Sequence, residues 1–519
     1  MLATVTLTAE AFNALIAEHD SLRGELQVVK VERDLLQERL KAFLRKLFAA
    51  KSEARGADQR ELFLNEAEAL APTSATPAAQ EDEPVGIEVA AHTRQKRGRK
   101  PLDPALPREI VRHELPETQR VCPHDGAALV EIGVQISEQL DIVPQQVRVI
   151  QHQRVKYACP CCDGGIKLTP APVRIIPKGL LTDAALAWVI TSKYQDALPL
   201  YRQAALLGRF GGDMSRNTLA ASVVRVGQAV QPIINLLRDH LLDSQLIHGD
   251  ETEIQVLKEP GRAAQTKSYL WAQMNGTGPP VRLFGYAQGR GASHARPFYA
   301  GIRPGAVLMS DGYEVYNGIA ANNTLIHLGC WAHCRRYFVD AEAVIPKAAR
   351  SRDQPATRFI AAIGELYAVE AQARHMELAE RGRLRQTRSR PILERIDALL
   401  LRYLHAVAPN SLLGKALHYL AGQWPKLVRY ADNGAWPIDN NVCENAIRPF
   451  VVGRRNWLFA DTVGGAQASA NLYSLIETCK ANAIDPYAYL VKLFRALPAA
   501  QTADDYEALL PWRLMPAAP

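Results

Sequence analysis

Gln245-Leu246-Ile247-His248-Gly249-Asp250-Glu251-Thr252-Glu253-Ile254-Gln255-Val256-Leu257 is the stretch from which the rest of the chain is read. It reads as a long β-strand, and successive side chains on a strand point to opposite faces. His248, Asp250 and Thr252 therefore share one face, and Glu251 takes the other. Further strands are expected over Ser268–Met274, Val281–Ala287 and the mostly apolar Ala306–Ser310. A short helix is expected over Ser293–Ala300, weakened by Pro297 unless that residue lies in its first turn. The apolar run Val307-Leu308-Met309-Ser310 ends at Asp311-Gly312-Tyr313. An acid at the carboxyl end of such a strand stands where open α/β sheets place their sites.

A third acid, Glu444, lies in Asp439-Asn440-Asn441-Val442-Cys443-Glu444-Asn445-Ala446-Ile447-Arg448, which reads as the first turns of a helix. Each acid alone has a purely structural reading. Asp250 can be a strand-end residue, Asp311 a turn residue before Gly312, and Glu444 the N3 partner of an Asn441 cap. Together, two acids on strands and one on a later helix match a divalent-metal site. Carboxylate oxygens suit Mg²⁺, with Mn²⁺ as the alternative, and two such ions can serve the attacking and leaving oxygens of a phosphoryl transfer. Asp250, Asp311 and Glu444 are thus the candidate catalytic residues and Mg²⁺ ligands.

Basic residues follow closely. Arg448 is four residues beyond Glu444 and shares its helix face, and Arg454-Arg455-Asn456-Trp457 comes next. Arginines there suit phosphodiester contacts, the alternative being ion pairs with nearby acids. Cys330-Trp331-Ala332-His333-Cys334-Arg335-Arg336, with His327 upstream, has two readings. It could bind a second metal; the preferred reading is a packed motif whose Arg335 and Arg336 reach DNA, because no second ligand pair is evident.

Upstream, residues 180–240 read as helices. Thr182 is placed to cap the first, a second runs from about Leu198 to Leu207, Gly211-Gly212 breaks the chain, and Ser215 is placed to cap a third. This fits a helix-turn-helix whose third helix enters a major groove, or a plain three-helix packing module. Cys122-Pro123-His124-Asp125-Gly126, strand-like sequence over Val147–Val155 and Cys159-Pro160-Cys161-Cys162 suggest a zinc unit. Zinc takes four ligands, mostly thiolate or imidazole. Cys122, Cys159 and Cys162 are the candidates, with His124 or Asp125 for the fourth place. A metal-free β-unit with buried thiols is the alternative. Arg94, Lys96, Arg97, Arg99 and Lys100 form an extended basic segment that could lie in a narrow minor groove or be a solvated linker. Near the start, Leu15, Leu22, Val29, Leu36 and Phe43 recur every seven residues with flanking charges, as in a dimeric coiled coil. A helix packed on its own domain is the other reading.

The expected organisation is a coiled-coil helix over 1–50, a linker over 51–106, a zinc-binding unit over 107–172 and a helix-turn-helix-like unit over 173–243. A catalytic α/β core follows over 244–464, with a helical insertion over about 341–433, and a helical segment over 465–519. The 519 residues are 48% hydrophobic and 22% charged, ordinary globular composition, and the net charge of +7 permits a polyanionic partner. No apolar run approaches the roughly 20 residues that span a bilayer. No signal peptide is visible, and eight cysteines are too few for a disulfide framework, so a cytoplasmic location is expected.

The strings His248-Gly249-Asp250-Glu251-Thr252, Ser310-Asp311-Gly312-Tyr313, Cys330-Trp331-Ala332-His333, Glu444-Asn445-Ala446-Ile447-Arg448-Pro449 and Gly453-Arg454-Arg455-Asn456-Trp457-Leu458-Phe459 resemble the bacterial transposases of the insertion-sequence-66 family. The resemblance covers nearly the whole chain and implies an RNase H-like core with an Asp-Asp-Glu triad. Residue by residue, that triad falls on Asp250, Asp311 and Glu444. One departure stands out: Asp125 occupies the place of the family's second cysteine in the first knuckle. The implied activity is cleavage at element ends to free 3′-hydroxyls, followed by joining to target DNA, with self-association and accessory proteins of the same element. A catalytically silent DNA-bridging protein and a nuclease that cuts without joining are the rivals.

Overall fold

The strand around Asp250 forms, and it is the centre of a mixed sheet. In the computed structural model, residues 18, 19, 22, 146–158, 166–168, 170–346 and 350–515 are described. The chain divides into two compact units, Thr76–Ile150 and the remainder; of the former, residues 146–150 are described, without helix or strand. Within the heptad segment, the described Glu18, His19 and Leu22 are helical, and the rest of the seam lies outside the described residues. So do the basic segment Arg94–Lys100 and the zinc candidates Cys122, His124, Asp125, Cys159, Cys161 and Cys162.

Two short strands, β1 (Lys156–Ala158) and β2 (Ile166–Leu168), pair antiparallel on either side of the second cysteine cluster. The strand expected over Val147–Val155 is not formed. Val147, Val149 and Val155 are exposed, so the alternation has no buried face to fix it as a strand.

Four helices follow: α1 (Asp183–Tyr194), α2 (Leu200–Arg209), α3 (Arg216–Ala229) and α4 (Gln231–Leu242). Thr182 and Ser215 cap α1 and α3, each side chain accepting a backbone N–H three residues on. These helices do not keep a core of their own. Leu186, Leu219, Val226, Ile233 and Leu237 join one cluster with the sheet residues Ile247, Leu270 and Phe284. Each fully buried aliphatic side chain contributes about 1.5–3 kcal/mol, so separating the helices from the sheet would be costly.

The sheet comprises β3 (Leu246–Lys258), β4 (Lys267–Asn275), β5 (Arg282–Ala287), β6 (Val307–Ser310) and β7 (Ile326–Gly329), in the order β5-β4-β3-β6-β7. β3, β4 and β5 form an antiparallel meander, whereas β6 and β7 run parallel to β3. Helix α5 (Ala292–Tyr299) precedes β6, with Pro297 inside it, and α6 (Val315–Asn322) crosses from β6 to β7. After β7 comes α7 (Trp331–Ala343), then α8 (Pro355–Gln372), α9 (Leu378–Leu384), α10 (Arg390–Tyr403) and α11 (Leu412–Leu427). These build a second core around Trp331, Phe338, Phe359, Leu393 and Leu420. The chain returns to the sheet through α12 (Asn441–Trp457) and a short β8 (Ala460–Thr462) parallel to the far end of β3. Next come α13 (Val463–Ala481) and α14 (Pro486–Ala496), whose Tyr473 and Leu490 rejoin the first core, and two short helices, α15 (Ala503–Glu507) and α16 (Pro511–Leu514), follow.

The helical insertion is pinned by a buried ion pair. Arg385 is fully buried and donates to both oxygens of Glu370, at 2.8 and 2.7 Å, and to the carbonyl of Tyr430 at 2.8 Å. Truncating Arg385 leaves Glu370 buried with less compensation, which typically costs about 3–5 kcal/mol. Arg385→Met is therefore expected to lower the thermal midpoint clearly in scanning calorimetry. An unchanged midpoint would mean the pair contributes nothing net.

Candidate active site

The positions of the first two acids follow from strand register. β3 pairs with β6 as Leu246↔Val307, Ile247↔Leu308 and His248↔Met309. Asp250 lies two residues beyond His248 and Asp311 two beyond Met309, so the register sends both acids towards the same end of the paired strands. β6 ends at Ser310, so Asp311 stands just past a strand end, as its sequence context predicts. Its Oδ1 accepts the Tyr313 N–H at 2.9 Å, which fixes the carboxylate in a local turn. Asp250 Oδ1 accepts the Glu251 N–H at 2.8 Å. The glycine before Asp250 is required by close packing: a Cβ on Gly249 would overlap the Tyr299 hydroxyl and meet the Tyr316 ring at 3.0 Å.

Glu444 arrives on α12, and one residue before that helix locks it to β3. The cap is Asn440, not Asn441, and its side chain makes no capping bond. Instead Asn440 Nδ2 donates to the Gly249 carbonyl at 3.0 Å, while its Oδ1 accepts His248 Nδ1–H at 2.9 Å. Its backbone N–H reaches Cys330 Sγ at 3.3 Å. Burial pushes His248 down to about 4, so it stays neutral and keeps the donor proton for Asn440. At the other end of α12, Arg454 donates to the Glu253 carbonyl and lies 3.5 Å from Thr252 Oγ1. His248 and Thr252 thus both touch α12, and Asp250 lies between them on the face expected from alternation.

Burial raises the Asp250 carboxyl well above the usual carboxylate range, and the charges of Glu251, Asp311 and Glu444 raise it further. Asp250 is accordingly the acid that feels both of its partners. Glu251, on the opposite face, is raised chiefly by burial, against hydrogen bonds from Tyr316 at 2.7 Å and Arg290 at 2.6 Å. Arg290 also stacks over the Tyr313 ring at 3.9 Å. This Glu251–Arg290–Tyr316 network carries no motif and was not foreseen. A cluster of hard carboxylate oxygens that repel one another fits a divalent cation of the magnesium class. Among the described residues, the group whose ligand atoms all lie within 4.8 Å of one another is a different one, Cys330–His333–Glu444.

Glu444 does not use its carboxylate as a cap. His333 Nδ1 lies 3.4 Å from its Oε1, and Arg336 Nη2 lies 3.5 Å from its Oε2. Arg336, expected to reach DNA, is thus drawn to an acid of the site, and Arg454 is committed to β3. Arg455 is exposed, while Arg335 and Arg448 are half-buried.

Residues 178–468 match the family described as Transposase IS66 family. The chain belongs to that family. Three further regions of this transposase match parts of the same group: 474–512 the IS66 C-terminal element, 119–163 the zinc-finger binding domain of transposase IS66, and 35–111 Transposase C of IS166 homeodomain. The zinc-finger match spans Cys122, Cys159 and Cys162. Relatives in Sinorhizobium fredii (strain NBRC 101917 / NGR234) include uncharacterized protein y4qI, 34% identical, covering 83% of this chain and 82% of its own. Uncharacterized protein y4jD from the same strain is 32% identical over 84% of this chain and 86% of its own. A chain from the crystal structure of a pre-cleavage Mos1 transpososome aligns at 12% identity over 51% of this chain and 82% of its own, with a TM-score of 0.13, too slight a likeness to bear on the fold. Among the described residues, no helix of the transposase is long and apolar enough to cross a membrane.

Proposed function

We propose that Asp250, Asp311 and Glu444 are the metal-binding catalytic acids of an RNase H-like core, and that the chain cleaves DNA at the ends of its element and joins the freed 3′-hydroxyls to target DNA. The observation that carries this reading is the raised Asp250 carboxyl, which feels Asp311 across the sheet and Glu444 from the helix. When bound, divalent cations supply activation of the attacking oxygen and charge stabilisation of the leaving one. Asp250, whose carboxyl feels both other acids, would hold the cations together with Asp311 and Glu444. His333 and Arg336 hold the Glu444 side chain from opposite ends of its carboxylate. Arg290, clamped by Glu251 and Tyr313, and the outward Arg455 offer guanidinium groups to phosphate.

The chemistry needs no covalent protein–DNA bond. Water adds to phosphorus as the 3′-oxygen leaves, and the resulting 3′-hydroxyl then displaces a 3′-oxygen in the target. Helix α3 presents Arg216, Asn217 and Arg225 outward, which suits contact with DNA. The basic segment Arg94–Lys100, with Arg335 and Arg448, is assigned the same partner. Self-association through the N-terminal heptads, zinc at Cys122, Cys159 and Cys162, accessory proteins of the element and a cytoplasmic site of action complete the reading.

A strand-transfer assay with purified protein, Mg²⁺ and DNA carrying the element's ends tests it. Joined products are expected; cut but unjoined DNA would leave a nuclease, and intact DNA a bridging protein. Phosphate contacts also set a salt dependence. Six or more of them weaken binding by roughly 10³-fold or more between 50 and 200 mM salt. Such a fall is expected for end DNA in fluorescence anisotropy, and a flat response would exclude DNA as the main partner.

A further inference from the structure

The tightest cluster of metal-ligating atoms in the described chain is not the set of three acids. Cys330 sits at the N-cap of α7, His333 one turn later on the same helix, and Glu444 near the start of α12. One ligand atom from each lies within 4.8 Å of the other two. Tetrahedral zinc places its ligands closer still, at 2.0–2.3 Å from the metal, so small side-chain rotations would close the set.

Two further observations point to a ligand. His333 Nδ1 and Glu444 Oε1 are both buried and make no hydrogen bond, and they lie 3.4 Å from one another. An orphaned buried polar atom is costly, and here two of them face the same thiol. Cys330 Sγ meanwhile accepts the Asn440 N–H at 3.3 Å, while burial and the charges of Asp439 and Glu444 raise its thiol well above the ordinary range. Arg336 takes the second Glu444 oxygen, which leaves Oε1 for the cluster. Sulfur, nitrogen and oxygen donors together select a borderline cation, unlike the all-oxygen set of Asp250 and Asp311.

We propose that Cys330, His333 and Glu444 form a binding site for a thiophilic divalent cation of the zinc class, with a fourth position open to water or substrate. Binding displaces the thiol proton to solvent. Because Glu444 is also one of the catalytic acids proposed above, and resting on that reading, occupancy withdraws this carboxylate from the Mg²⁺ site. Zinc then acts as a brake on cleavage.

The test counts metal on the full chain without DNA. Protein stripped by chelator is loaded with Zn²⁺ or Co²⁺, and metal per chain is measured by native mass spectrometry. Wild type is expected to hold one ion more than Cys330→Ser and one more than His333→Ala, each variant keeping whatever the upstream cysteines bind. Equal loading in all three overturns the site. His333 is partly exposed, so His333→Ala decides the question if the buried Cys330→Ser variant fails to fold. A chain that takes the extra ion but never cleaves DNA sinks the proposed function and spares this site. A chain that cleaves without the extra ion does the reverse.

Discussion

Asp250→Asn is expected to lower Mg²⁺-dependent cleavage of element ends by about a hundred- to a thousandfold, the scale on which loss of one electrostatic stabiliser is felt. Binding to the same DNA should stay within about twofold of wild type, because DNA affinity comes from phosphate contacts elsewhere. The substitution is isosteric, and the amide oxygen can still accept the Glu251 N–H that Asp250 accepts at 2.8 Å. What it removes is a charge that burial and three neighbouring acids oppose. In metal-free protein the variant should therefore unfold no earlier than wild type. The combination of intact binding, an equal or higher thermal midpoint and lost cleavage separates a catalytic acid from a structural one. Cleavage retained in a gel assay would reject the assignment of Asp250.

The sequence carries the sheet and the first two acids because both follow from local rules. Period-two alternation fixes which residues of β3 share a face, and an apolar run ending in an acid marks the end of β6. The later helix was also legible, from Asn441 onward. Its cap was misjudged by one residue, and the reason is tertiary. An asparagine before a helix normally bonds the helix backbone. Asn440 is instead claimed by His248 and Gly249, some 190 residues earlier in the chain. The same limit hid the partner of Cys330 and His333. Their own spacing suggested a metal, but the third donor, Glu444, lies 111 residues beyond His333. Strand β7 and helix α6 were too short and too mixed in composition to stand out. In the other direction, Val147–Val155 alternates well and yet forms no strand, because alternation specifies a face and not a partner.

For cleavage, Asn440→Ala should be the most damaging change outside the acids. Asn440 is fully buried and joins the two segments that carry Asp250 and Glu444. Removing its amide strands the His248 N–H and deprives the Gly249 carbonyl of a donor. Each such buried group costs about 1–3 kcal/mol, so a loss of roughly 2–5 kcal/mol is expected in denaturant unfolding. The backbone bond to Cys330 survives the substitution, and so do the apolar contacts of Cys443, Ile447 and Phe450, so α12 should stay helical and docked. What it loses is registry against β3. A shift on the order of 1 Å in a reacting constellation can cost about a hundredfold in rate, so cleavage measured well below the unfolding midpoint should fall by about that factor. The fall should exceed what the unfolded fraction explains, and raising Mg²⁺ should recover part of it, since metal binding favours the aligned arrangement. A folded Asn440→Ala protein that cleaves at the wild-type rate would mean the apolar face of α12 alone sets the position of Glu444.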